Sequence, residues 1–438
     1  MVHGLLNYSD NTFFENVNEL RPGHYLKYDL LTHRYIIVRW YNLEAASRSL
    51  KVTEKEATER LRQLFLESVR IRMRSDVQVG SCLSGGIDST AIVTAVHLEG
   101  LANDAFATIT SCYSDKDYDE QQFSDIVTRQ TGFPALKVYP DLDNLLGDAH
   151  LEKMIYHQDQ PFSTASHYSE FNVFRKAAEN KMIVMLDGQG SDEYLCGYPE
   201  FFIARIKELF GEWRFRSALH LLKQKAEHRG NDLLSESKNF LRSAYLYPLL
   251  TRMKRFLGKN DYPWLHKNWQ MLAKNKLVSF NASNIRDLSI QEIVHTSIPY
   301  QLHSEDRNSM MFSIESRLPF LCPRLVEFVI GLPSDYKIKD GYTKYVLRQA
   351  MREMPEAVKQ RKDKMGFAAP DAPWMIRNRV YIRKELEDAV AKTGVFSEEL
   401  LHRFDRFTRG ELGYEPVYFR VLAFNRFCRI FNMQTNEC

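Results

Sequence analysis

Short apolar runs alternate with amphipathic segments along the first half of the chain. The runs at residues 77–83, 105–110, 135–140 and 181–186 are brief and mainly apolar, which is typical of buried strands. Between them, segments such as residues 118–132, YDEQQFSDIVTRQTG, space their apolar side chains as one face of a helix does. This alternation predicts an α/β fold in which a parallel sheet carries helices on its faces.

The segments before the first apolar run show two other patterns. Residues 1–46 contain a turn signal at Pro22-Gly23 and two alternating aromatic or β-branched runs, which predict a β-hairpin. Residues 55–75 place apolar side chains at helical spacing with charges between them. We therefore expect an amphipathic helix that leads into the first strand of the sheet.

The second half of the chain has a different character. From about residue 201 to residue 298 strand signals vanish, and apolar residues recur at helical spacing among many cations. This part is predicted to be helical. We interpret the basic excess between Arg205 and Lys259 as a solvated helix face, with docking of an acidic partner as the alternative.

Composition narrows the class of protein. A chain of 438 residues exceeds what one hydrophobic core usually organises, so two or more substructures are expected. The net charge of +3 gives no electrostatic footprint for nucleic acid, and no stretch approaches membrane-spanning length. The six cysteines are scattered without a C-x-x-C pair, which disfavours a zinc cluster or a disulfide framework. These features predict a cytoplasmic enzyme with reduced thiols and with neither a nucleic-acid nor a membrane partner.

The loop after the first apolar run, SGGIDST at residues 84–90, carries specific chemistry. It lies between a strand end and a predicted helix, where glycine N–H groups and the helix dipole favour a phosphate. The loop has no Walker lysine, which disfavours P-loop kinase or ATPase chemistry. Asp88 beside phosphates predicts a Mg²⁺ that bridges its carboxylate to the phosphate oxygens. The alternative is an ordinary strand–turn–helix in which a Ser or Asp caps the helix.

A second glycine-rich loop follows the fourth apolar run. Residues 185–198, MLDGQGSDEYLCGY, should lie at the same edge of the sheet, because the carboxyl ends of parallel strands meet there. Asp192 is then placed to share a metal with Asp88, since Mg²⁺ is held by carboxylates and phosphate oxygens. A glycine-rich turn with surface acids is the alternative.

Charged residues also occur in apolar surroundings further along the chain. Arg307, Glu315 and Arg317 stand among apolar residues within residues 305–333, and such charges need partners or a ligand. A structural ion pair is the alternative. Two later segments offer Lys344, Arg348, Lys362, Lys364, Gly366 and Phe367. A lysine on a helix is normally solvated, so these side chains alone indicate no site.

Taken together, these motifs resemble the asparagine synthetase superfamily. SGGIDST is similar to the pyrophosphate loop of N-type ATP pyrophosphatases, and RSDVQVGSCL before it to the version in asparagine synthetases. Residues 185–198 and residues 305–333 resemble the second and third signatures of that family. Lys344 matches the family lysine that contacts the phosphates during adenylate formation.

The resemblance also implies a division of the chain into three parts. Residues 1–46 resemble the tail of a glutaminase domain, residues 47–200 the α/β ATP pyrophosphatase core, and residues 201–438 the mainly helical remainder that completes the active site. Family glutaminases use an N-terminal cysteine, whereas Met1 is followed here by Val2. We therefore expect no glutamine hydrolysis by this chain, with a separate glutaminase subunit as a candidate partner.

The resemblance implies adenylation of a carboxylate, most directly the aspartate side chain, followed by attack of ammonia or an amine. ATP and Mg²⁺ are the implied cofactors, and AMP and pyrophosphate the products. The implied metal ligands are Asp88 and Asp192, the catalytic residues Lys344, Glu315 and Gln189, the substrate-binding residues Glu193 and Arg317, and the ATP and pyrophosphate site Leu83, Ser84, Gly85, Gly86, Asp88, Ser89, Gly188 and Lys344.

Gln189 departs from the family pattern. The matching residue in asparagine synthetases is a glutamate thought to take a proton from the incoming amine, which an amide cannot do. Glu193 and Glu315 are candidate substitutes. The departure weakens the substrate assignment more than the adenylation step, and an asparagine synthetase-like ligase remains the leading interpretation. The alternatives are an amide-forming or cyclising enzyme on another carboxylate, as in β-lactam, peptide or polysaccharide tailoring, and a catalytically inactive binding subunit of a split amidotransferase. The intact acids and Lys344 argue against the inactive subunit.

Overall fold

The computed structural model describes residues 4–147, 149–246, 262–275, 282–362 and 369–434. The strands are β1 (His24–Asp29), β2 (Arg34–Arg39), β3 (Val79–Cys82), β4 (Thr108–Ser111), β5 (Ala135–Val138), β6 (Val184–Leu186) and β7 (Glu315–Arg317).

The α-helices of the first half of the chain are α1 (Leu43–Ala46), α2 (Glu54–Arg72), α3 (Ile87–Leu98), α4 (Gln121–Thr131), α5 (Leu142–Gly147), α6 (His150–Gln158), α7 (Ser166–Glu179), α8 (Asp192–Leu195) and α9 (Pro199–Gly211). Those of the second half are α10 (Phe215–Arg229), α11 (Leu233–Leu241), α12 (Lys267–Asn275), α13 (Ile285–Gln291), α14 (Ile298–Met310), α15 (Pro323–Gly331), α16 (Tyr345–Ala350), α17 (Glu356–Lys359), α18 (Asp371–Arg377), α19 (Arg379–Thr393), α20 (Glu399–Thr408) and α21 (Val417–Ile430). Short π-helical turns cover Arg242–Leu246 and Glu292–Thr296, and 3₁₀ turns cover Pro319–Leu321 and Ser334–Tyr336.

Five parallel strands form the central sheet in the order β5-β4-β3-β6-β7. The chain runs outward from β3 through β4 to β5 and then returns to place β6 on the other side of β3. The strand order therefore reverses between β3 and β6, and the crevice beyond their carboxyl ends is where open α/β sheets bind ligands. The predicted α/β fold with a parallel sheet is confirmed.

The four predicted apolar runs correspond to β3, β4, β5 and β6, whereas β7 was not predicted. The three residues of β7 are polar, because it is an edge strand paired only with β6 and needs no apolar run on both faces. This strand comes from the part of the chain that the sequence assigned to helices. The sheet therefore unites the two halves of the chain.

Helices cover both faces of the sheet. On one face, α2 and α3 pack with α15 and α16 around a core that includes Phe65, Ile92 and Val329. On the other face, Phe174 of α7 packs with Ile109 and other apolar residues of the strands. A larger apolar cluster joins α6 to the C-terminal helices α19, α20 and α21. These layers hold the strand ends of the sheet in fixed positions.

The amphipathic helix expected at residues 55–75 is α2. It begins with a capping box in which the Glu56 N–H donates to Thr53 Oγ1, at 3.3 Å, and the Thr53 N–H donates to Glu56 Oε2, at 2.8 Å. Its apolar face is buried on the sheet side. The helix predicted after the SGGIDST loop is α3, and residues 89–96 are buried on every side because α3 lies between neighbouring helices and the sheet.

The predicted hairpin consists of β1 and β2, which pair antiparallel. The Pro22-Gly23 turn precedes β1 and does not join the two strands. The connecting turn lies at residues 30–33, where Asp29 Oδ1 accepts N–H groups from Leu31 and Thr32. These side-chain hydrogen bonds close the turn and set the register of the hairpin.

The region from residue 201 to residue 298 is helical where it is described, as expected. The interpretation of its cations as a solvated face is wrong for Arg205, whose side chain is 2% exposed. Arg205 forms ion pairs with Glu208 and Asp335, because its position on α9 faces the 3₁₀ turn Ser334–Tyr336. Lys259 lies outside the described residues. Within the described ranges, we find no helix that has both the length and the apolar character needed to span a bilayer.

Candidate functional site

A cavity opens beyond the carboxyl ends of β3 and β6. It encloses about 1340 Å³, including solvent at its mouth. The sequence-predicted residues that line it are Leu83, Ser84, Gly86, Asp88, Ser89, Gly188, Gln189, Asp192 and Lys344. These residues are dispersed over more than 260 positions of the chain, and the reversal of strand order brings them together.

The SGGIDST loop turns sharply at Gly85. Its φ is +87°, and an added Cβ would lie 2.8 Å from both Phe123 Cβ and the Ser124 nitrogen, so only glycine fits without displacement. Hydroxyl groups then fix the loop. The Ser84 N–H donates to Ser89 Oγ at 3.2 Å, and the Gly86 N–H donates to Ser84 Oγ at 3.2 Å. The loop is therefore held in one conformation by its own side chains.

Helix α3 begins at this loop. Its N-cap residue is Gly86, which has no side chain to cap the first turn. The N–H groups of that turn lack intrahelical partners and carry the positive end of the helix dipole, so they favour an anion. Asp88 lies in the first turn, and its carboxylate points toward the cavity. Asp88 therefore lies beside N–H groups that favour an anion, and the phosphate itself stays a prediction.

Asp192 opens α8 and lies against Gly197. An added Cβ on Gly197 would lie 1.5 Å from Asp192 Oδ1 and 2.8 Å from Lys344 Cε. Any side chain at this position would displace both charged groups. Gly197 belongs to the site for this reason, although the sequence analysis assigned it no role.

Lys344 connects the two loops. Its Nζ lies 2.5 Å from Asp88 Oδ2, 2.5 Å from Asp192 Oδ1 and 3.1 Å from Ser191 Oγ. Burial lowers the pKa of Lys344, but the carboxylates of Asp192 and Asp88 together raise it above its usual range. The lysine is therefore a buried ammonium ion that pairs with two carboxylates and offsets part of their charge.

The backbone of Lys344 explains how it reaches this position. It precedes α16 with a φ of +54°, and its N–H donates to the Leu195 carbonyl at 3.0 Å. It is therefore not a helix-surface lysine. A left-handed conformation in a non-glycine residue is strained and persists where the surroundings fix it, which is common at functional sites.

The carboxylates of Asp88 and Asp192 fit a divalent metal. They converge on one cation, here the ammonium group of Lys344, and Asp88 Oδ1 is buried with no hydrogen bond from the described residues. Two carboxylates with further oxygens from a ligand are a usual set for Mg²⁺. The metal assignment itself stays a prediction.

Further cations line the cavity, and the sequence analysis did not assign them to it. Arg348, Arg361 and Lys362 all reach the lining. The Arg361 guanidinium donates to the Gly85 carbonyl at 3.1 Å and pairs with Glu120 at 2.6 Å. Arg361 thus supports the SGGIDST loop from outside. Lys364, Gly366 and Phe367 lie outside the described residues.

Four of the predicted site residues do not line the cavity: Gly85, whose carbonyl accepts from Arg361, and Glu193, Glu315 and Arg317. Glu193 is buried nearby, where Tyr198 and Ser297 donate to its Oε1 at 2.8 and 2.7 Å. Glu315 is 60% exposed and pairs with Arg317 at 2.9 Å. Arg317 also donates to carbonyl groups of the segment after α2. The geometry of this pair is that of a structural ion pair at the sheet edge, which was the alternative.

A cluster of three acids, two of which line the same cavity, was missed by the sequence analysis. One oxygen from each of Glu170, Asp187 and Glu305 falls within 4.8 Å of the others. Asp187 directly follows β6 and Glu305 opens the third signature, so a strand-end argument could have found Asp187. Glu170 lies on α7 and carries no sequence signal, because only packing of α7 and α14 on the sheet brings it here.

Burial dominates the electrostatics of this cluster. Desolvation raises the pKa of Glu170 to about 8 and that of Asp187 to about 6. Desolvation also raises the pKa of Glu305 well above its usual range, and the neighbouring Asp187 and Glu170 raise it further. Three carboxylates in a buried space repel one another, so the cluster holds protons or a cation near neutral pH.

Comparison with known proteins places this site in a family. The model of the asparagine synthase family matches residues 60–411. The chain is 27% identical to asparagine synthetase [glutamine-hydrolyzing] 1 of Bacillus subtilis (strain 168) over 380 residues, which cover 83% of this chain and 57% of that protein. It is 26% identical to a putative asparagine synthetase of Mycobacterium tuberculosis (strain H37Rv), covering 78% of this chain and 52% of that protein.

A relative with a different name matches as well. Amidase chry2 of Gibberella zeae is 25% identical over 406 residues, covering 83% of this chain and 60% of that protein. The chain thus spans between half and two thirds of the length of these curated relatives. Since the family model covers most of the chain, including all the loops that line the cavity, the chain belongs to the asparagine synthase family.

Proposed function

We propose that the chain is an ATP-dependent amide ligase that adenylates a carboxylate and transfers the acyl group to ammonia or an amine. The observation that carries this proposal is the convergence of Asp88 and Asp192 on Lys344 beside the SGGIDST loop. This arrangement supports the proposal because a cation and two potential metal ligands lie near the N-terminus of α3, which would favour the phosphates of ATP.

Each group has a role in this proposal. The hydroxyl and N–H groups of residues 84–89 hold the departing pyrophosphate, and the first turn of α3 stabilises its charge. Lys344 stabilises the charge that develops on the α-phosphate. Mg²⁺, held by Asp88 and Asp192, would neutralise the pyrophosphate as it leaves. Arg361 keeps the loop in place, since it donates to the Gly85 carbonyl.

The carboxylate substrate has two candidates. Aspartate is the leading carboxylate because two of the relatives described above are named asparagine synthetases. A second candidate is an amide-forming reaction on another carboxylate. Gln189 supports it, since this residue lines the cavity and its amide cannot take a proton from an amine, and so does the relative named an amidase.

Two measurements test the proposal. Carboxylates, beginning with aspartate, are screened for ATP–pyrophosphate exchange and for nucleotide product with ammonium as the amine donor. We expect AMP and pyrophosphate as products, and exchange that depends on one class of carboxylate. Formation of ADP, or exchange that no carboxylate supports, would refute the adenylation chemistry. Glutamine in place of ammonium tests whether the chain releases glutamate.

A further inference from the structure

The acid cluster of Glu170, Asp187 and Glu305 belongs to the cavity but has no part in the chemistry described so far. Glu170 and Asp187 line the cavity, and Glu305 lies behind them with a side chain that is 1% exposed. Within the described residues, we find no ion pair between these three acids and a lysine or arginine. A buried acidic cluster of this kind needs a positive partner or bound protons.

The unsatisfied atom in the cluster indicates where that partner binds. Ser316 donates to Glu305 Oε1, whereas Glu305 Oε2 is buried and accepts no hydrogen bond from the described residues. On the cavity side, Asn308 donates to Glu170 Oε2 at 2.5 Å, and the Gly188 N–H donates to Asp187. These bonds fix the carboxylates without supplying a charge, so the cluster is built for a cationic donor.

We propose that this cluster binds the amine nucleophile as its ammonium ion and takes a proton from it. An ammonium group offers one positive charge and several N–H donors, which matches three converging carboxylate oxygens. The inference rests on the proposed ligase function and adds the site of its second substrate. It also gives a reason why Gln189 is tolerated in this chain, because the acids beside it supply the proton acceptor that an amide lacks.

In the proposed reaction, one C–N bond forms, one C–O bond breaks, and two protons leave the nitrogen. The ammonium ion, RNH₃⁺, gives one proton to a carboxylate of the cluster and becomes a neutral amine. Its lone pair forms the C–N bond to the acyl carbon of the adenylate, and the C–O bond to AMP breaks with the electron pair on AMP. A second proton leaves the nitrogen as the amide forms and passes to water. Raised pKa values in the cluster suit this transfer, since a base works best when its pKa is near the working pH.

The first test measures binding without any reaction. Melting temperatures are compared in ammonium chloride and in sodium chloride at equal ionic strength, without ATP or carboxylate. We expect a higher melting temperature in ammonium for the wild type, and loss of this difference in Glu305→Gln and in Glu170→Gln. Glu236→Gln is the matched control, because Glu236 is a buried acid on α11 that pairs with Lys225 at 3.3 Å, outside the cavity. Equal melting temperatures in the two salts, or a difference that both cluster variants retain, would overturn the proposal.

The second test separates the two substrates in turnover. With the carboxylate that supports exchange and ammonium chloride as donor, both cluster variants should raise KM for ammonium by about tenfold or more, the effect of losing one charged hydrogen bond. Pyrophosphate exchange should stay within about twofold, since the acids act after adenylation. An unchanged KM for ammonium, or an equal loss of exchange and amide formation, would contradict an amine site.

Two further outcomes would separate the amine site from a metal site and from the ligase proposal. If Mn²⁺ binding falls by one ion per chain in the cluster variants, the cluster is a metal site and the amine proposal is wrong. If no carboxylate supports exchange in the wild type, the ligase proposal fails, and the salt comparison still decides whether the cluster binds ammonium. Failure of one proposal is thus not failure of the other.

Discussion

Two sets of acids face one cavity, and the protein neutralises them differently. Asp88 and Asp192 share the buried ammonium of Lys344, which lies 2.5 Å from each. Glu170 and Glu305 are buried and Asp187 is partly buried, but the three have no such cation among the described residues, and their pKa values are raised instead. The first set is charged and paired inside the fold, whereas the second must take up protons or an external cation.

The two sets of acids affect the stability of the fold differently before a ligand binds. A buried ion pair is costly to break but ordered before any ligand arrives. An unpaired buried acid destabilises the fold at the pH where it ionises, and a ligand that supplies the missing charge recovers that free energy. The first set is therefore suited to hold phosphates and metal in place, and the second to bind a substrate that arrives charged and leaves neutral.

The largest effect should follow removal of the shared cation. Lys344→Met leaves two buried carboxylates without their partner, which should lower the free energy of unfolding by about 3–5 kcal/mol. Millimolar Mg²⁺ should recover part of this loss by binding the unpaired carboxylates, and should affect the wild type less. Urea unfolding with and without Mg²⁺ measures both quantities.

The control for this variant is Lys339→Met, which removes a partly exposed pair with Glu54. It should cost no more than about 1 kcal/mol and show no dependence on Mg²⁺. If Mg²⁺ has the same effect on both variants, the two acids do not form a metal site.

Loss of either acid of the first set should affect catalysis more than folding. Asp88→Asn and Asp192→Asn should each reduce carboxylate-dependent pyrophosphate exchange by roughly 100- to 1000-fold, as removal of one group that stabilises the transition state does. Circular dichroism should show an intact fold. Asp143→Asn, an exposed acid on α5, is the control. Exchange near the wild-type rate in either variant would remove that acid from the metal site.

The second set should appear in the pH dependence of stability. Burial raises the pKa of Glu170 from its ordinary 4.5 to about 8, so the fold favours its protonated form. The contribution of protonated Glu170 to the free energy of unfolding is complete below pH 4.5 and is lost as the pH rises toward about 8. Between these values the free energy of unfolding should fall by at most about 1.4 kcal/mol per pH unit, and above about 8 this contribution no longer changes.

Glu170→Gln keeps this position neutral at every pH and should abolish that part of the slope. The variant should therefore gain stability relative to the wild type between pH 5 and about 8, as measured by urea unfolding across this range. Asp187 and Glu305 face the same space, so the remaining slope reports on them. A wild type and a variant with parallel pH profiles would show that Glu170 does not titrate in this window.

The smallest effect is expected at the sheet edge. Glu315 is exposed and paired only with Arg317 among the described residues, so Glu315→Gln should cost at most about 1 kcal/mol of stability. Exchange and amide formation should both stay close to wild type, because the side chain does not line the cavity. A large loss of amide formation with an unchanged melting temperature would instead return Glu315 to the active site.

Much of the fold and part of the candidate site could be predicted from the sequence alone. The alternation of apolar runs and amphipathic segments was enough for the parallel sheet, and SGGIDST was enough for a loop between β3 and the N-terminus of α3. Both are local signals, because strand and helix periods and glycine turns are set by neighbouring residues. The sequence also predicted that Asp88 and Asp192 lie at one edge of the sheet, since the carboxyl ends of parallel strands meet there.

Other features depended on contacts between distant parts of the chain. β7 is a polar edge strand, Lys344 reaches the cavity through a left-handed backbone conformation, and Glu170 comes from a helix with no motif. The sequence by itself determined the succession of β3 to β6 with their helices and the chemistry of the loops, because those patterns are short-range. Only the tertiary structure decided which charges are paired, since burial and the approach of residues from separate elements fix the neighbours of each carboxylate.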